Sequence, residues 1–246
     1  MRLPTLLVIQ QSPTEPAGRL GDWLGSAGLL LDVRTPYDGS ALPGLDGYDG
    51  VLILGGEVGA NDDAAAPWLP PTRDLLRSAV AGSVPVLAVC LGSQVLATAL
   101  GGVVRRGADG PEIGPGLVAK RDAAAQDRLF GTVPFTPDVL HWHYDEIVAL
   151  PAGATLLASS TRYPHQAYRV GESAWGIQFH VETTPEIVLR WARGDADRLA
   201  EDGWDLLEAV GTWNLEELHA DLAEVWSPFA GRFAEVVRER EYARRA

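Results

Sequence analysis

Four apolar runs, separated by stretches of helical periodicity, fix the fold class before any single side chain is weighed. Residues 5–10, 29–33, 51–54 and 84–89 are strand-like and largely apolar. A strand with one wet face alternates apolar and polar residues. A strand that is apolar throughout is buried on both faces and needs helices above and below it. Helical segments fall where that requires them, at residues 18–27, 68–81 and 91–100. In the first of these Leu20, Trp23 and Leu24 share one face. Strand–helix alternation of this kind gives an α/β domain with a mostly parallel sheet in the middle of three layers.

The pattern changes after Gly102. Residues 116–120, 138–141, 154–158, 166–170 and 175–179 are short and β-rich, with Gly and Pro between them. They are predicted to form a mixed or antiparallel extension of the sheet. Thr184 then caps a helix with Pro185 at its first position, ending near Ala192 with Gly194 as its stop. Beyond Asp195 the chain is acidic and helical, and Trp226-Ser227-Pro228 is expected to break it before a last helix carrying Phe229 and Phe233. The division is thus a main domain over 1–194 and an acidic helical extension over 195–246, packed on or beside it.

The formal net charge is −13. That excludes an electrostatic nucleic-acid binder, which needs clustered Lys and Arg. It equally disfavours an anionic membrane surface. No apolar stretch is long enough to span a bilayer, and the first ten residues lack the features of a secretion signal. The single cysteine permits no internal disulfide. Together these point to a cytoplasmic protein.

That cysteine has unusual surroundings. The apolar run 84–89 leads straight into Cys90, and a helix begins at once, with small residues at Ala88 and Gly92. This is the layout of a nucleophile elbow, which exposes one side chain on a sharp strand-to-helix turn. It puts a thiol at the carboxyl end of a parallel strand, where ligands bind in open sheets. It also puts the thiol at a helix N-terminus, expected to lower its pKa, with the Leu91 N–H free to hold an oxyanion. A second apolar strand ends at His180, and Glu182 follows two residues on. Extended residues at that spacing point the same way, so Glu182 can orient the imidazole while its other nitrogen meets the thiol. At a third strand end, Gly55-Gly56 offers a backbone N–H at Gly56 as a second oxyanion donor. His and Cys show no zinc-ligand spacing, so neither metal nor organic cofactor is expected.

Taken together, these segments resemble the class I, triad-type glutamine amidotransferases. The resemblance rests on Val89-Cys90-Leu91-Gly92-Ser93-Gln94, on Gln178-Phe179-His180-Val181-Glu182, and on Leu54-Gly55-Gly56. Glu112-Ile113-Gly114, His141-Trp142-His143-Tyr144-Asp145 and Gln166-Ala167-Tyr168-Arg169-Val170 also resemble family stretches, and the likeness runs from about Leu6 to Trp191. It is nearest to stand-alone members related to the glutaminase part of GMP synthetase. Two positions depart from the family pattern: Ala88 stands where Gly is usual, and Val181 where Pro is usual.

The resemblance implies a flavodoxin-like sheet and Cys90, His180 and Glu182 as a catalytic triad attacking the side-chain amide of L-glutamine or another γ-glutamyl compound. It implies Gln94 at the amino-acid end of the substrate, with His143 and Asp145 as further pocket residues. Strand alternation is taken to turn His141 away, and His165 and His219 are read as structural. Ammonia would pass to an acceptor, on a separate synthetase chain. Two alternatives stand beside this: a self-contained γ-glutamyl peptidase using the same triad, and a non-catalytic binding subunit with the same fold.

Overall fold

The computed structural model describes residues 2–201 and 203–245. Met1, Asp202 and Ala246, which belong to the two segments of the division above, lie outside the described residues.

The chain opens β1 (Thr5–Ile9), α1 (Gly18–Ser26), β2 (Leu30–Arg34), β3 (Gly50–Ile53), α2 (Leu69–Ala81), β4 (Val86–Val89) and α3 (Leu91–Ala99). It continues through β5 (Val103–Arg106), β6 (Glu112–Leu117), β7 (Ala119–Lys120), β8 (Asp138–His143), β9 (Asp145–Ala149), β10 (Thr155–Ser159), β11 (Ala167–Val170) and β12 (Ala174–Ile177). It closes with α4 (Pro185–Glu201), α5 (Leu206–Thr212) and α6 (Leu215–Arg245).

Eight strands form the central sheet in the order β2-β1-β3-β4-β12-β11-β10-β7. The first five run parallel, which is the flavodoxin-like arrangement expected from the sequence. The last three are antiparallel, the extension foreseen for residues 102–179. Not all of that segment joins the sheet. β5 pairs with β9 and β6 with β8, as two separate two-stranded sheets.

Period-two alternation explains why both faces need cover. Leu6, Val8, Leu52, Leu87 and Val89 pack with Leu20 and Leu24 of α1 and with Trp226, Phe229 and Phe233 of α6. The intervening Leu7, Ile9, Val51, Ile53 and Val86 pack with Leu69 and Leu76 of α2 and with Val95 and Leu96 of α3. A smaller core joins Leu140 and Trp142 of β8 to α4 and α5 through Val188, Trp191, Leu199 and Val210. No helix among the described residues is long and apolar enough to cross a membrane.

Two helix ends differ from the sequence expectation. α4 does not stop near Ala192; it continues to Glu201, because Leu199 is buried and Asp195 Oδ2 accepts from Trp142 Nε1 at 2.8 Å. Gly194 therefore sits inside the helix. Pro228 does not break α6 either. A proline there leaves the Glu224 carbonyl without its donor, a cost of about 3 kcal/mol. Trp226, Phe229 and Phe233 flank it with no exposed surface. Each such side chain contributes ~1.5–3 kcal/mol on burial, which outweighs the defect.

If α6 is part of the core rather than an appendage, Trp226→Ala should destabilise the whole protein by roughly 3–5 kcal/mol. The loss includes the 2.9 Å hydrogen bond from Trp226 Nε1 to the Asp138 carbonyl. A single cooperative urea transition shifted to lower midpoint is the expected result; an unshifted midpoint would show that α6 is dispensable.

Candidate functional site

The carboxyl ends of β1, β3, β4 and β12 converge on one cavity of about 440 Å³. Cys90 lies on its floor, at the junction of β4 and α3. Its backbone adopts φ 50° and ψ −112°, a conformation that L-residues other than glycine rarely hold. Two features hold it there. Cys90 N–H donates to the Ile177 carbonyl at 2.8 Å, continuing the β4–β12 pairing. Gly92 packs so tightly under β3 that a Cβ there would sit 2.4 Å from the Ile53 carbonyl oxygen. Any side chain at 92 would push the helix off the strand.

His180 follows β12 and is held from a second direction, its N–H donating to the Leu140 carbonyl of β8 at 2.8 Å. Its Nδ1 lies 2.6 Å from Glu182 Oε1. Glu182 Oε2 accepts from the Val181 N–H at 2.9 Å, which fixes the carboxylate without a proline at 181. Nε2 of His180 is buried and has no partner other than the Cys90 sulfur. Ring and thiol line the same cavity and interact electrostatically. The three residues singled out in the sequence are thus brought together.

The electrostatics follow from burial. Burial works against a charged His180, but the Glu182 carboxylate and the Cys90 sulfur outweigh it and hold the imidazole well above its ordinary value. Burial pushes the Cys90 thiol up, and His180 draws it down by less. The net direction is opposite to that expected from a helix N-terminus, because a thiol with almost no exposure loses more hydration than the helix returns. Sγ also meets the Trp142 carbonyl at 3.8 Å and Gln178 Nε2 at 3.7 Å.

The other sequence candidates fall around this centre. Gly55 and Gly56 lie beside it and admit no side chain. A Cβ on Gly55 would meet Glu15 Oε2, and one on Gly56 would lie 2.6 Å from Leu91 Cδ2. Leu91 opens α3, so its N–H is among the four that a helix leaves unpaired. Gln94 lines the cavity, but its amide donates to the Asp145 carbonyl at 3.3 Å and to Gln178 Oε1 at 3.1 Å. Asp145 and His143 also line it. His143 is engaged on both nitrogens, by the Asp145 carbonyl at 2.9 Å and by Glu112 Oε2 at 3.0 Å.

His141 is absent from this cavity, as expected, and lines a separate groove. Strand alternation is not the reason, because positions two apart share a face and the His141 and His143 ring centroids lie 6.1 Å apart. His165 and His219 are occupied elsewhere, at the Ile147 carbonyl and at Thr183 Oγ1.

Sequence reading missed several residues of the cavity. Trp191 stands edge-on to His180 with centroids 4.7 Å apart, shielding the imidazole, and its Nε1 donates to the Thr14 carbonyl. Arg106, Arg190 and Arg198 line the mouth and have no ion-pair partner among the described residues. Glu15 is the deepest omission. It is buried against Gly55, Oε2 lacks a partner, and burial pushes its carboxyl from 4.5 up to about 8, against the pull of His180. Its signal in the sequence was positional, an acid in the loop after β1, at the edge where ligands bind.

Comparisons with known proteins place the family and the fold. The family model for "Glutamine amidotransferase class-I" matches residues 28–188. The chain is similar to the glutamine amidotransferase-like protein YfeJ of Salmonella typhimurium, 28% identical over 216 residues, covering 85% of this chain and 90% of that one. It is similar to gamma-glutamyl peptidase 4 of Arabidopsis thaliana, 32% identical over 147 residues. That match spans 59% of this chain and 58% of the peptidase. Among solved structures, a glutamine amidotransferase from Thermotoga maritima superimposes with a TM-score of 0.83 at 29% identity, covering 96% of this chain and all of the other.

Glu15 generates a pH prediction. Folded, it keeps its proton to about pH 8; unfolded, it ionises near 4.5. Between those values the folded state holds the extra proton, so stability falls as pH rises. Glu15→Gln cannot ionise and should gain on the wild type by about 3 kcal/mol between pH 4.5 and 7. Urea midpoints at the two pH values test this; parallel curves for the two proteins would show that Glu15 titrates normally.

Proposed function

The chain belongs to the class-I glutamine amidotransferases, and from that premise we propose that it cleaves the side-chain amide of glutamine through a Cys90 thioester. Members of this family are hydrolases acting on glutamine or γ-glutamyl groups, and the residues of the cavity fit that chemistry. The observation that carries the reading is the buried His180–Glu182 pair, joined at 2.6 Å on one imidazole nitrogen and with only the Cys90 sulfur for the other, in the cavity that holds the thiol.

Cys90 transfers its proton to His180 Nε2 as sulfur attacks the amide carbon. The raised basicity of His180 favours that transfer, and Glu182 stabilises the imidazolium that results. The N–H groups of Leu91 and Gly56 hold the oxygen as charge develops, each such donor being worth ~3 kcal/mol. His180 returns the proton to the departing nitrogen and releases ammonia. Water, deprotonated by the same imidazole, then hydrolyses the thioester. Gln94, His143 and Asp145 shape the end of the pocket that takes the substrate's amino-acid group. In this reading residues 1–194 form the catalytic unit, residues 195–246 are its extension, and the ammonia passes to a synthetase on a separate chain.

A second reading, a self-contained γ-glutamyl peptidase, is favoured by the cavity mouth. Arg106, Arg190 and Arg198 are positively charged groups without ion-pair partners among the described residues, in a chain of net charge −13. They suit the carboxylate of a peptide leaving group better than they suit ammonia.

Assays of the isolated protein on glutamine and on a γ-glutamyl dipeptide panel separate the two readings. Fast turnover of dipeptides alone supports the peptidase; weak glutamine hydrolysis that rises when a synthetase is added supports the amidotransferase. In either case Cys90→Ala should lower kcat by at least about 10⁴-fold without a loss of folding stability, and His180→Ala should cost more than Glu182→Gln. Cys90→Ala retaining wild-type turnover would remove the mechanism altogether.

A further inference from the structure

We propose that Glu112, His141 and His143 form a binding site for a divalent transition-metal ion of the zinc type, through Glu112 Oε2, His141 Nδ1 and His143 Nε2. The three side chains come from one two-stranded sheet. β6 and β8 pair in a register that sets Glu112 opposite His143 and Gly114 opposite His141, so both rings rise on the same face. Gly116 makes the room: a Cβ there would lie 2.7 Å from His141 Cδ2.

The hydrogen-bond inventory calls for a cation. His143 Nδ1 lies 2.9 Å from the Asp145 carbonyl, which can only accept, so Nδ1 carries a proton. In the neutral ring Nε2 then points a lone pair at Glu112 Oε2, 3.0 Å away. Two acceptors face one another unless a positive charge lies between them. His141 Nδ1 sits 3.5 Å from the same carboxylate oxygen, is buried, and has no hydrogen-bond partner. A proton on His143 would satisfy one nitrogen and leave the other orphaned. A metal ion satisfies both.

The dimensions agree. Zinc–ligand bonds of about 2.0–2.1 Å in a tetrahedron put neighbouring donor atoms about 3.3 Å apart. Two of the separations here are 3.0 and 3.5 Å, and all three ligand atoms lie within 4.8 Å of one another. The outer shell is built in the manner of a metal site. Gln166 Nε2 donates to Glu112 Oε2 at 2.8 Å, and the Asp145 carbonyl fixes the His143 tautomer. A groove lined by Glu112, His141, Thr161, Arg162 and Trp204 leads to His141, giving entry and room for a water as fourth ligand. Along the sequence the set has no ligand spacing because its third member comes from the neighbouring strand.

The site is set apart from the thiol. His143 lines the catalytic cavity, and the Asp145 carbonyl it bonds also takes the Gln94 amide. The ion would therefore stiffen the substrate end of the pocket, and no step of amide cleavage passes through it.

The test uses the full chain, tag-free and stripped of metal by a chelator, carrying Cys90→Ala so that the active-site sulfur cannot bind the ion. Titration with Zn²⁺ by calorimetry should give one equivalent. Co²⁺ should give the intense visible bands of a tetrahedral nitrogen–oxygen site. His141→Phe keeps the ring's bulk and removes Nδ1, which has no partner, together with the ring's hydrogen bond to the Leu117 backbone, so the variant's folding is checked before metal is added. The substitution should weaken Zn²⁺ binding by at least the 10–100-fold that loss of an outer-shell group costs, and abolish the metal-dependent rise in Tm. Glu112→Gln should do the same. Absence of a stoichiometric equivalent in the Cys90→Ala protein overturns the proposal whatever the variants do. So does Zn²⁺ affinity unchanged in a folded His141→Phe protein, which would mean that His143 and Glu112 are simply an imidazolium–carboxylate pair.

Discussion

The site depends on one contact: the 2.6 Å bond between His180 and Glu182 in a place water does not reach. A carboxylate or an imidazolium buried alone would be neutralised, since removing either charge from water costs several kcal/mol. Buried together, each supplies what the other lost in hydration. The pair then sets the chemistry around it. Its imidazole is a stronger base than a free histidine, while burial makes the facing thiol a weaker acid. The two shifts oppose one another: the imidazole's basicity draws the proton toward nitrogen, and the buried sulfur resists giving it up. Glu15, held protonated beside them, is a further buried ionisable group; ionised, it would set a second buried carboxylate against Glu182.

Keeping that pair dry and aligned draws on parts of the chain far from β12. Trp191 of α4 covers the imidazole, and the Trp142 indole that lies 5.6 Å from it is tied to Asp195 further along the same helix. Thr183, one residue past the carboxylate, bonds His219 of α6. Gly18 at the start of α1 sits so close to the Glu182 carbonyl that a Cβ would overlap it, and the Arg19 N–H donates to that carbonyl at 2.9 Å. The segment after the sheet therefore acts as a clamp on the pair. This explains why α4 extends past Gly194 and why α6 tolerates Pro228: stopping either helix would uncover the tryptophans that exclude water.

The parallel half of the fold was legible because burial on both faces leaves a plain signature, and a strand running into a small-residue turn leaves another. Cys90, His180 and Glu182 were readable for the same reason: each sits at a fixed offset from an element end. What was not readable depended on pairing between distant strands. Nothing local says that residues 112–117 and 138–143 leave the main sheet to pair with each other. Nor does a proline announce that tertiary burial will outweigh its own cost. His141 does lie off the catalytic cavity, but alternation is not the cause, since residues two apart on a strand share a face; its ring opens on a second groove instead.

Helix, strand and pair also meet at the Asp145 carbonyl. It accepts from Gln94 on α3 and from His143 on β8, and so links the helix that carries the thiol to the β6–β8 sheet that carries Glu112. That sheet in turn holds Trp142, whose carbonyl faces the sulfur, and Leu140, whose carbonyl fixes His180. A two-stranded sheet outside the central one would be a soft foundation for groups that must stay within tenths of an ångström. Cross-strand pairs alone contribute less than about 1 kcal/mol each. The Gln166 amide on Glu112 and the Asp145 carbonyl on His143 add to the hold on these strands, and an ion shared with His141 would tie them more firmly. The rigidity that the thiol and imidazole need is in this way built from behind, by polar groups that take no part in bond cleavage.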